Sequence, residues 1–127
     1  MIKKQPEFEL HKQVCRYLDL QYGSILYLSD TIASVKLTIP QQQRNKSIQK
    51  QDFKTPDLLI FEPNKYYHGL FIELKVKTPF KKDGTLLKDE HLEAQQKTIF
   101  DLHRKGYYAC FSWSFEMTKN IIDNYMK

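Results

Sequence analysis

The sequence predicts a layered domain of the α/β or α+β class, on three observations. Apolar residues recur at helical spacing in three separated stretches. Four short apolar runs between them read as strands. Along the 127 residues the order is helix, strand, basic insert, strand, strand, helix, strand, helix. A chain of this length forms one domain, here 1–127, and buries a core without disulfide staples.

The first helix is expected from Pro6 to Tyr22. Pro6 suits a first turn, Leu10, Val14, Tyr17 and Leu18 share a stripe, and Gly23 supplies a stop. Ile25 to Leu28 is a short apolar run read as a buried strand. The next segment, about 31–54, contains no acid as far as Gln51 but carries Lys36, Arg44, Lys46 and Lys50 among glutamines. Pro40 and the run Gln41-Gln42-Gln43 argue against a regular core element. Two compatible readings remain open for it: a solvated loop, or an arm that faces phosphates. Leu58 to Phe61 is a strand, Glu62 to Lys65 a turn, and Gly69 to Val76 the following strand. Thr78 to Asp89 is polar and reads as a loop. A helix from Glu90 to Lys105 ends at Gly106. Tyr107 to Trp113 is an aromatic-rich strand. Ser114 caps a last helix in which Thr118, Ile121, Ile122 and Tyr125 share a face.

Hydrophobic residues make up 41% and aromatics 13% of the chain, which excludes a disordered segment. The net charge of +5 and a pI near 9.1 favour a polyanionic partner, most commonly nucleic acid. Cys15 and Cys110 lie in apolar stretches and read as buried free thiols. Neither a signal peptide nor a membrane span is expected, so cytoplasm is the default location. His11, His68, His91 and His103 make no zinc pattern and are expected to be exposed or capping. Ser112 and Ser114 lack a His–Asp setting, and a Gly-rich phosphate loop is missing.

The chemistry concentrates in Asp57, Glu73 and Lys75. Side chains alternate along a strand, so Leu70, Ile72, Leu74 and Val76 take one face while Phe71, Glu73, Lys75 and Lys77 take the other. A hairpin centred on Lys65 sets Asp57 opposite Glu73, where Cβ atoms stand roughly 5 Å apart. Two carboxylates at that separation repel unless a cation or a proton intervenes. Mg²⁺ suits such an oxygen site, where it would polarise a phosphoryl oxygen and acidify water. Lys75 is placed to orient that water, to act as its base, or to offset charge developing on phosphate. Lys54, Lys77, Lys81 and Lys82 flank these residues and, with Arg44, Lys46 and Lys50, are candidates for binding DNA phosphates.

At these positions the chain resembles the VRR-NUC family of the PD-(D/E)XK nuclease superfamily. The carrying residues are Thr55-Pro56-Asp57-Leu58-Leu59-Ile60, His68-Gly69-Leu70-Phe71-Ile72-Glu73-Leu74-Lys75, Gln95 with Leu102, Gly106-Tyr107, and the tail from Ser114-Phe115 to Ile121-Ile122-Asp123. The resemblance covers the first helix and nearly everything from Thr55 onward. It departs in the loop before Pro56, which lacks the family's glycines, and in Thr55, where a glycine usually stands.

The resemblance implies a restriction-endonuclease-like core, a central mixed sheet flanked by helices. It implies Mg²⁺- or Mn²⁺-dependent cleavage of DNA, branched substrates such as four-way junctions or flaps included. It further implies a homodimer acting in replication, recombination or repair for a phage or mobile element. Asp57, Glu73 and the Leu74 carbonyl would hold the metal, with Lys75 the catalytic lysine. A first-helix glutamate completes the set, Glu9 by this register, with Glu7 as the alternative. Gln95, or Gln96 if the helix phase differs, would contact the site near the metal's water. A non-catalytic nucleic-acid-binding module on the same fold is the competing reading.

Overall fold

The computed structural model describes residues 6–29, 37–51 and 53–127. The first part of the basic insert, 31–36 with Lys36, lies outside them.

The first helix, α1 (Pro6–Gln21), opens on Pro6 with Glu7 and Glu9 in its first turn, where acids complement the helix dipole. Leu10, His11, Val14 and Leu18 are its buried face. Strand β1 (Tyr27–Ser29) starts two residues later than the apolar run and is an edge strand, not a buried one: Leu26 and Leu28 are 73% and 54% exposed.

The insert corrects the sequence expectation. It contains a helix, α2 (Ile39–Ile48), with no buried residue. Thr38 caps it: the Gln41 N–H donates to Thr38 Oγ1 at 3.3 Å, and Gln41 Oε1 accepts the Thr38 N–H at 2.9 Å. Pro40 falls in the first turn, where its missing N–H costs nothing. The glutamine run is thus a solvated helix and not an irregular loop.

Strands β2 (Leu58–Ile60) and β3 (Leu70–Leu74) pair antiparallel, with Leu58 opposite Ile72, Leu59 opposite Phe71 and Ile60 opposite Leu70. Asn64 holds the connecting turn, its Oδ1 accepting the N–H groups of Tyr66 at 2.9 Å and Tyr67 at 2.8 Å. The chain then crosses through α3 (Glu90–Arg104) to β4 (Tyr108–Ser112), which runs parallel to β3. Gly106 makes the turn between them at φ +94°; a Cβ there would sit 2.6 Å from the His68 ring. The last helix, α4 (Phe115–Met126), is capped by Ser114, whose side chain accepts the Met117 N–H at 3.0 Å.

The sheet order is β1-β2-β3-β4, mixed in direction. Leu58, Ile60, Leu70, Ile72 and Leu74 pack on one face against Leu10, Val14 and Leu18 of α1 and Ile122 and Tyr125 of α4. Phe71, Ala109 and Phe111 pack on the other against Ile99 and Leu102 of α3. β3 is therefore buried on both sides along its whole length, as a strand sandwiched between helix layers must be. Asp123 ties α4 to α1 by accepting the hydroxyls of Tyr17 and Tyr22 and the Lys119 ammonium.

The serines set aside as nucleophiles are structural. Ser112 and Thr118 share a buried 2.6 Å hydrogen bond. Cys15 and Cys110 are free and half-buried, and burial pushes the Cys110 thiol up to about 12. Among the described residues no helix is long and apolar enough to cross a membrane.

Candidate metal centre

Extended one residue beyond its last pair, Leu58 with Ile72, the hairpin register puts Asp57 opposite Glu73. Glu73 shares the α3 side of the sheet with Phe71, by strand alternation. It is 4% exposed. Burial drives its pKa far above the carboxylate range, and a hydrogen bond with Asp57 and the Asp57 charge drive it further. Glu7 adds to the repulsion, and only Lys75 pulls the other way. Without a cation the Asp57–Glu73 pair therefore holds a proton.

Asp57 is fixed from behind: its Oδ2 accepts the Leu74 N–H at 2.8 Å. The backbone holds Lys75 too, its N–H donating to the Ser112 carbonyl at 2.8 Å as the β3–β4 ladder runs one residue past β3. Lys75 is half-buried, at the rim of the site.

From α1 the structure brings Glu7, not Glu9. Glu7, His11 and Asp57 each offer a ligand atom within 4.8 Å of the other two. Glu9 instead lines an open groove with Lys12, Arg16 and Phe115. The reason is helical phase: two residues apart on a helix means about 200° of rotation. Glu7 continues the buried stripe of His11, Val14 and Leu18, and Glu9 faces away.

Sequence reasoning misses His11. Far from being exposed or capping, it is 7% exposed and stands in the second turn of α1, its Nε2 3.9 Å from Asp57 Oδ2. The readable signal is Glu7–His11 at i, i+4 on the apolar stripe.

Gln95 is buried on α3 with Thr98, Ile99 and Leu102, as its spacing predicts. Its amide nitrogen is 3.1 Å from His91 Nε2, while its Oε1 and His11 Nε2 are buried without a hydrogen-bond partner among the described residues. Gln96 is half-buried and borders an apolar groove with Phe100 and Trp113. The basic candidates Arg44, Lys46, Lys50, Lys54, Lys77, Lys81 and Lys82 are all exposed. The Lys54 N–H donates to Thr98 Oγ1 at 3.1 Å, which anchors the end of the insert to α3 beside Gln95.

The donor set of Glu7, His11 and Asp57 is carboxylate oxygen and imidazole nitrogen, with His11 Nε2 unpartnered among the described residues, and it fits a divalent cation. A solved structure described as a VRR_NUC domain protein superimposes on this chain with a TM-score of 0.64 at 21% identity. The match covers 98% of this chain and 91% of the other. No family model matches the sequence, and no curated protein does. The chain has the α/β fold of that VRR_NUC domain protein, with a mixed sheet flanked by helices.

Proposed function

We propose that this chain is a VRR-NUC-type nuclease that hydrolyses phosphodiester bonds in DNA with the help of a divalent cation, Mg²⁺ or Mn²⁺. The observation that carries this reading is buried Glu73, its pKa raised by burial and by neighbouring Asp57, with Lys75 two residues further along the chain. A buried acid pair needs a compensating cation or proton, and Lys75 alone does not neutralise both charges.

Asp57 and Glu73 would hold the ion, joined by Glu7 and by the Leu74 carbonyl expected from the family resemblance. The bound cation supplies Lewis-acid polarisation of the scissile phosphate and a more acidic water. Lys75 positions the attacking water and offsets charge growing on the phosphate. Gln95, whose Oε1 is buried without a partner among the described residues, would hold a water or a sugar–phosphate oxygen, the role the family resemblance gives it. Arg44, Lys46, Lys50 and Lys54 on the insert, and Lys77, Lys81 and Lys82 after β3, steer and grip the DNA backbone. Branched DNA as substrate, a homodimer that pairs two cuts, and a role in replication, recombination or repair extend this reading from the family resemblance.

The test is a panel of labelled duplex, single-stranded, flap and four-way-junction DNA, incubated with Mg²⁺, Mn²⁺ or EDTA. Lys75→Ala should fold with an unchanged melting temperature and lose cleavage by about 100-fold or more. Metal-dependent cutting retained in Lys75→Ala rejects the role given to Lys75. Salt-sensitive DNA binding without cutting under any metal establishes a non-catalytic binding module instead.

A further inference from the structure

We infer that His11 is a nitrogen ligand of the cation, binding through Nε2 beside Glu7 and Asp57, so that the site takes a first-row transition ion such as Mn²⁺ in preference to Mg²⁺. This rests on the reading of the site as a metal centre and specifies its chemistry.

Three features of the imidazole lead there. It stands in the second turn of α1 at 7% exposure, yet its Nε2 has no hydrogen-bond partner among the described residues. An unpaired buried polar atom is costly, on the order of 1–3 kcal/mol. Second, the ring is held from its other nitrogen: Nδ1 lies 3.3 Å from Ser29 Oγ on β1. With the proton on Nδ1, donated to Ser29, Nε2 presents its lone pair, which is the form that ligates metals and the usual way an outer partner fixes a ligand ring. Third, Nε2 lies 3.9 Å from Asp57 Oδ2, too far for a hydrogen bond. Donors that share one ion at about 2.1 Å each stand at most about 4.2 Å apart, so the gap already has the span of a bridging cation. Glu7, one turn before His11 on the same stripe, brings the third donor within 4.8 Å.

The metal preference follows from the nitrogen. Mg²⁺ selects oxygen donors and retains its waters, whereas imidazole binds first-row transition ions well. An all-carboxylate site would discriminate less strongly in this direction.

Pulsed EPR of the full chain loaded with Mn²⁺ tests the assignment directly. Nitrogen coupling to the ion should appear with ¹⁴N protein and change to the ¹⁵N pattern when only histidine is ¹⁵N-labelled, with no substitution made. His11→Gln should abolish the coupling, and His91→Gln should keep it. Mn²⁺ affinity should fall by about 10- to 100-fold in His11→Gln, the range found when a metal's histidine environment is disrupted, while Mg²⁺ affinity changes far less. Tight Mn²⁺ binding without histidine coupling overturns the assignment and leaves the carboxylate metal centre standing. Failure of both ions to bind removes the metal centre itself, and the His11 role with it.

Discussion

Replacing Glu73 with Gln should make the metal-free protein more stable than the parent at neutral and higher pH, by an amount that grows with pH. Glu73 is buried opposite Asp57, and its folded-state pKa is raised well above the unfolded value of 4.5. Between those two values the folded chain holds a proton that the unfolded chain has released. Folding stability therefore falls as pH rises through that window, by about 1.4 kcal/mol per pH unit for one full proton. From pH 6 to pH 8 the parent should lose about 2–3 kcal/mol relative to Glu73→Gln, in which no carboxyl titrates at this position. For a chain of this size that difference corresponds to roughly 10 °C in melting temperature. The assay is thermal unfolding of both proteins in EDTA at pH 6, 7 and 8. The difference between them is the readout, because every other ionisable group is common to both. Saturating Mg²⁺ or Mn²⁺ should then flatten the parent's profile, since the cation replaces the shared proton, and should do much less for the variant. Parallel pH profiles for the two proteins in EDTA would refute the raised pKa of Glu73, which burial sets first and Asp57 second.

Asp57→Asn keeps an oxygen to accept the Leu74 N–H but loses a charged donor, so its melting temperature should no longer rise with Mg²⁺. An unchanged metal effect would remove Asp57 from the ligand set. Changing Arg44, Lys46 and Lys50 together to Ala should leave the melting temperature within a degree or two, as α2 buries nothing. DNA affinity should weaken uniformly across sequences, and the slope of log affinity against log salt should shrink by roughly 0.9 for each phosphate no longer neutralised. Gly106→Ala combines a positive φ with a Cβ 2.6 Å from the His68 ring, and denaturant unfolding should show a loss of about 1–3 kcal/mol.

The sequence by itself determined the elements that carry their own local signal. The stripe of Leu10, Val14 and Leu18, the cap at Ser114, the stop at Gly106 and the two-residue alternation through β3 each express a backbone period or a turn requirement, and neighbours in sequence suffice to state it. The hairpin about Lys65 also sets Asp57 against Glu73, because strand pairing is arithmetic once the turn is placed. The insert helix α2 is not legible in this way because nothing in it is buried; its apolar period is absent, and only the Thr38–Gln41 capping box marks it.

What only the tertiary structure decided is which side chains from distant elements converge. Glu7 and Glu9 are equally acidic first-turn residues, and the choice between them depends on how α1 is rotated against β3, which the packing of Leu10, Val14 and Leu18 on the sheet sets. In sequence His11 carries only its i, i+4 spacing from Glu7; docking is what buries it between Ser29 and Asp57, 18 and 46 positions away. Helix phase relative to a sheet is a property of the packed core, and the core is made by residues far apart in the chain.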